Sequence, residues 1–176
     1  PHEKEERFVA TQDVPASREA VFAFFSDPSN LQALTPPWLA FEILTPPPLP
    51  VGEGAVYDYR IRFRGLSLRW RTLIEVWEPG RRFVDRQIQG PYALWHHTHR
   101  FEDLPDGGTR LTDQVRWRVG FGPLGRLMAP LVKRDIERIF TYRREVIGKR
   151  MGSFCRGSRG KAGTPPSTRD RRASLR

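Results

Sequence analysis

The sequence predicts an α+β fold: a curved antiparallel sheet of about six to seven strands wrapped around one long C-terminal helix, with two short helices after the first strand. Three observations carry this expectation. The stretches "AVYDYRIRFR" and "LSLRWRTLIEV" alternate apolar and polar residues, the period of half-buried strands. From Gly122 onward the apolar residues fall three to four apart, the period of an amphipathic helix. That helix is also the one large apolar element left to cover the apolar face of the sheet.

Taken in order, "RFVATQDV" is a strand of mixed pattern. In "PASREAVFAFFSD", Ser17 is a suitable N-cap, and Val21, Phe22 and Phe25 share one helical face. Asp27 caps a second short helix with Pro28 at its first position, and that helix ends before Pro36-Pro37. "LAFEIL" reads as a strand and "TPPPLPVGEG" as a loop. The two alternating strands follow, joined by a turn at Arg64-Gly65, and Glu78-Pro79-Gly80 turns into "RRFVDRQIQ". The phase of this strand is ambiguous: Phe83, Asp85 and Gln87 share one face, Val84 and Ile88 the other. "GPY" leads into "LWHHTHRF", "LPDGG" turns again, and "TRLTDQVRWRV" is the last strand. "GFGPLG" has a phosphate-loop-like glycine spacing but lacks a parallel βαβ context, so it reads as a turn and helix entry. The helix runs from Leu124 to about Met151, roughly 40 Å at about 1.5 Å per residue. Pro130 should kink it or mark its true start.

The net charge of +10 suggests nucleic acid, but its distribution argues otherwise. Residues 153–176 hold seven Lys/Arg and one acid, leaving 23 basic and 19 acidic residues in the body. The domain expected over residues 1–152 is thus only mildly basic. Residues 153–176, rich in Gly, Ser, Pro and Arg, read as a disordered basic tail. Its functional reading is weak attraction to phosphates or anionic lipids, so tail-mediated nucleic-acid or membrane-surface association is an alternative function, although no specific nucleic acid is expected, since interleaved aromatics are missing. The single cysteine, Cys155, suits a reducing compartment. The charged start "PHEKEER" does not read as a signal peptide, and no apolar run is long enough to span a membrane. A cytoplasmic monomer or homodimer is expected.

The element order, the opening "VPASREAVFAFFSDPSNLQALTPPW", and "GPYALWHHTHRFED" followed by "GTRLTDQVRW" and "GFGPLG" resemble the START-like, polyketide cyclase/dehydrase-like (SRPBCC) helix-grip superfamily. Within it the chain is most similar to bacterial single-domain ligand-binding members. The resemblance covers about residues 6–151. It implies a helix-grip fold with a cavity between sheet and helix. It does not fix an activity, because such proteins include lipid and sterol carriers, plant hormone binders, quinone-binding proteins and aromatase/cyclases.

The last hairpin carries the sharpest candidate site. Asp113 shares a face with Leu111, Val115 and Trp117, so its carboxylate is buried and needs a partner. If residues 104–108 form the hairpin loop, His99 faces Asp113, His97 faces Val115 and Trp95 faces Trp117. A two-residue shift would put His97 opposite Asp113 instead; the first register makes every pair compatible and is preferred. His96 points to the other face. A His99–Asp113 pair suits a polar ligand contact or register lock. Its alternative role is proton transfer in a cyclase or dehydratase, His99 acting and Asp113 orienting it.

His97-x-His99 with Asp113 or Asp85 also has usable metal-ligand spacing. A lone His-x-His is weak, and the similar families usually bind no metal, so neither metal nor cofactor is assigned. The inward aromatics Tyr57, Tyr59, Phe63, Trp70, Trp95, Phe101 and Trp117, with Asp85, Gln87, His97, His99, Asp113 and helix residues Ile136 and Phe140, are the candidate ligand-binding set. They suit a small hydrophobic ligand such as a lipid, polyketide or isoprenoid. Pro36-Pro37-Trp38 is a candidate for the cavity mouth.

Overall fold

A computed structural model describes residues 5–120 and 122–158. Seven strands form one antiparallel sheet: β1 (Glu6–Val14), β2 (Glu42–Ile43), β3 (Val56–Phe63), β4 (Leu66–Glu78), β5 (Arg82–Gln89), β6 (Tyr92–Asp103) and β7 (Thr109–Val119). Their order is β1-β7-β6-β5-β4-β3-β2, so every strand from β2 to β7 lies beside its successor and β1 closes on β7. Between β1 and β2 lie α1 (Arg18–Ser26) and α2 (Leu31–Leu34); α3 (Pro123–Ser158) ends the described chain.

Local chemistry explains most boundaries. The Ser17 hydroxyl accepts from the Ala20 amide at the start of α1. Asp27 accepts from the Ser29 amide at 2.9 Å and hydroxyl at 2.7 Å, capping a 3-10 turn at Pro28–Asn30 that leads into α2. The β3–β4 turn has positive φ at both Arg64 (49°) and Gly65 (82°), the requirement of a type I′ hairpin. At the foot of α3, a Cβ on Gly125 would lie 2.1 Å from the Gly120 carbonyl oxygen. Only glycine lets the helix start this close to the end of β7, so "GFGPLG" is a packing device rather than a phosphate loop.

Three expectations change. The "LAFEIL" strand shrinks to Glu42–Ile43, because Pro37–Leu39 form a 3-10 turn and Ala40 adopts a left-handed φ of 41°. The helix is longer than expected: Pro130 lies inside it rather than at its start, and it continues to Ser158 past the residue-152 boundary. Residues 159–176, most of the predicted disordered tail, lie outside the described residues.

The core has three centres. Val21, Phe22 and Phe25 of α1 pack with Leu34, Phe83, Phe101, Leu111 and the C-terminal part of α3 at Ile147 and Met151. The middle of α3, through Val132, Ile136 and Phe140, packs on Val115 and Trp117 of β7. A separate cluster, Ala55, Tyr57 and Ile74, sits on β3 and β4 without a partner from α3. The helix thus packs along the β1–β7 side of the sheet, and the tip of the β3–β4 hairpin reaches it through Arg64, which donates to Asp135 at 3.0 Å. The space between is the cavity. The opposite, wet face carries paired charges: Arg110 with Asp13 and Arg116 with Glu5 across β1–β7, and Arg71 with Asp58 across β3–β4.

Candidate functional site

The cavity has a volume of about 550 Å³. Period-2 alternation on β3 and β4 supplies one wall: Tyr57, Tyr59, Ile61, Phe63, Leu68, Trp70, Thr72 and Ile74. Asp85, Trp95, His97 and His99 from β5 and β6 form the floor, and Ile136 and Phe140 of α3 form the roof. Ten of the predicted contacts therefore line one space.

Four do not. Phe101 and Trp117 are packed into the two core centres under α3. The Gln87 amide is used locally, donating to the Tyr92 carbonyl at 2.7 Å and accepting from the Tyr92 amide. Asp113 is buried behind the histidines, off the cavity wall. Nor do Pro36, Pro37 and Trp38 reach the cavity: Trp38 is half exposed, edge-on to Tyr142 and under the Arg138 guanidinium. The sequence reading missed Thr72, Ile61 and Leu68, although the same alternation marks them, and it missed Arg143, whose place depends on the path of α3.

Asp85, His97 and His99 of the floor and Asp113 behind them form a closed ring of two imidazoles and two carboxylates. Strand pairing sets Asp113 opposite His99 and Asp85 opposite His97, so the expected hairpin register is observed. The side chains then lean diagonally. His97 Nε2 bonds Asp113 Oδ1 at 2.9 Å and His99 Nε2 bonds Asp85 Oδ2 at 2.9 Å. The directly opposed contacts are also short, His99 Nδ1 to Asp113 Oδ1 at 2.8 Å and His97 Nδ1 to Asp85 Oδ2 at 3.3 Å. The first of these is misaligned for a hydrogen bond, which leaves His99 Nδ1 without a directed partner. Asp113 thus serves both histidines, not His99 alone.

Phe83 stacks on His99 with centroids 4.1 Å apart, and Phe140 sits edge-on to His97 at 5.6 Å. Burial alone would keep His97 neutral, but the Asp85 and Asp113 carboxylates outweigh it and raise its pKa. Burial likewise disfavours the charged carboxylates, yet the two facing imidazoles hold both Asp85 and Asp113 well below the usual range. Next to the ring, the Trp70 indole donates to Thr72 Oγ1 at 3.1 Å, and the Tyr59 hydroxyl lies 3.2 Å from the same oxygen. Burial pushes the Tyr59 phenol well above its ordinary pKa. Outward-facing His96 contacts Glu75 at 3.2 Å and takes no part.

The family model for polyketide cyclase/dehydrase and lipid transport proteins matches residues 5–145. The chain belongs to this family. Among solved structures, the ZhuI aromatase/cyclase of Streptomyces sp. R1128 is 17% identical with a TM-score of 0.69, covering 92% of this chain and 100% of its own. The protein TTHA0849 of Thermus thermophilus is 17% identical with a TM-score of 0.68, covering 85% and 99%. A START superfamily protein of Mycobacterium smegmatis is 16% identical with a TM-score of 0.64, covering 84% and 98%. At these identities the likeness is one of fold. No curated protein matches significantly. Among the described residues of this family member, no helix is long and apolar enough to cross a membrane.

Proposed function

We propose that the protein binds a small hydrophobic or amphiphilic ligand, of the lipid, polyketide or isoprenoid-quinone class, between the sheet and α3. The observation that carries this reading is the cavity: about 550 Å³, lined mainly by aromatic and aliphatic side chains, with its one cluster of carboxylate and imidazole groups at the floor and a few other polar side chains such as Thr72 and Arg143 around it. That distribution fits a ligand with a large apolar body and one polar end. The apolar body would lie against Trp70, Trp95 and Ile136; a carbonyl or hydroxyl would meet Asp85, His97 and His99. With one cysteine in the chain, a cytoplasmic carrier or sequestering protein is the role we assign.

The test is thermal unfolding across a panel of fatty acids, quinones and aromatic polyketides. A true ligand at 100 times its Kd stabilises by about 2.7 kcal/mol. Leu68→Trp, which fills the cavity from β4, should abolish that gain while leaving the unliganded protein folded. A panel with no stabilisation, or equal stabilisation of Leu68→Trp, would count against the reading.

A second reading is turnover of such a ligand by a cyclase or dehydratase type of proton transfer. It is favoured by one observation: two imidazoles line the cavity while Asp113, set behind them, is hydrogen-bonded to His97 and in contact with His99. In this reading His99→Ala and Asp113→Asn lose turnover but still bind the ligand.

A further inference from the structure

We propose that Asp85, His97 and His99 form a site for a first-row divalent transition-metal ion, with Asp113 as the carboxylate that holds the imidazoles from behind. One ligand atom from each of the three residues lies within 4.8 Å of the others. Ligands about 2.1 Å from such an ion stand about 3.0–3.4 Å apart. Asp85 Oδ2 is already 2.9 Å from His99 Nε2 and 3.3 Å from His97 Nδ1, so two of the three spacings are close to those around a bound ion.

The arrangement behind these atoms is what a metal-ligating histidine needs. Its second nitrogen is normally held by a carboxylate or carbonyl, which fixes ring orientation. Here His97 Nε2 and His99 Nδ1, the two nitrogens turned away from Asp85, both lie within 2.9 Å of Asp113 Oδ1. One carboxylate therefore backs both imidazoles: it is hydrogen-bonded to His97 and in short but misaligned contact with His99. Asp85, His97 and His99 all line the cavity, whereas Asp113 does not. The ion would face the cavity with positions left for a ligand oxygen. Two imidazoles among three donors favour zinc, cobalt, nickel or ferrous iron over calcium and magnesium. The site does not depend on what fills the cavity, so its failure and that of the ligand-binding reading are separable.

The experiment titrates the full chain, stripped with a chelator, with cobalt(II) chloride alone and then displaces cobalt with zinc(II). The expected result is one equivalent bound, with visible d–d absorption lost on zinc addition. X-ray absorption of the wild-type cobalt protein should show only nitrogen and oxygen ligands, two of them imidazole. Asp113→Asn should weaken binding about 10–100-fold. His97→Gln and Asp85→Asn should weaken it further, and outward-facing His96→Ala should leave it unchanged. Absence of stoichiometric binding would overturn the proposal. So would sulfur in the ligand shell, which would place the ion at Cys155, or binding that survives in His97→Gln. If a variant fails to fold, the wild-type absorption spectrum alone decides, since it reads the ligands directly.

Discussion

Asp113 contacts both inward imidazoles of β6, His97 and His99, through one oxygen and offers nothing to the cavity. Its removal would leave two buried rings short of a carboxylate, the situation in which a broken buried pair costs about 3–5 kcal/mol. Asp113→Ala should therefore lower stability by about that much in urea unfolding, whereas His96→Ala, at the outer face, should change it by less than about 1 kcal/mol. Alternation alone showed that His97, His99 and Asp113 face inward, and the hairpin loop set their register. The diagonal bonding was not legible, because it depends on sheet twist and on side-chain lean rather than on pairing. Asp85 was ambiguous for a different reason. Its neighbour Val84 is also buried, between Val76 and Thr98 on the opposite face, which blurs the phase of β5.

At the scale of elements, the start of α3 shows how one residue fixes a helix against a sheet. An alanine in a helix interior normally gains about 1 kcal/mol over glycine. At Gly125 the sign should reverse, because the added Cβ would lie 2.1 Å from the Gly120 oxygen. Gly125→Ala should destabilise by about 1–3 kcal/mol, as overpacking does, measured by chemical denaturation. The short strand β2 marks where pattern reading failed. "LAFEIL" is apolar enough for a strand, but the proline pair before it forces a 3-10 turn and left-handed Ala40. The helix end was missed because the composition turns polar while the backbone is still helical, through Ser158.

At the scale of the molecule, the sheet, the gripping helix and their order were legible, since each rests on a strong period or on a glycine and proline signal. The cavity itself was not. Trp70, Trp95, Phe101 and Trp117 look alike in the sequence, all large and inward. Where α3 crosses decides their fates: it covers Trp117, α1 packs against Phe101, and Trp70 and Trp95 are left facing open space. Charge is divided in the same way. Arg110, Arg116 and Arg71 of the wet face are held by Asp13, Glu5 and Asp58, whereas residues 159–176 carry six Lys/Arg against one acid, so polyanion binding is expected chiefly from this terminal segment. Deleting residues 159–176 should abolish salt-sensitive binding to heparin or DNA and leave ligand binding intact; binding that persists would place it on the domain.

The most direct test of a ligand-binding cavity is native mass spectrometry of the freshly purified protein beside Leu68→Trp. A reproducible mass excess of a few hundred daltons, released on denaturation and missing from Leu68→Trp, is the predicted result. A wild-type protein that flies at its bare sequence mass, and stays there after incubation with lipids, quinones and polyketides, would contradict the account.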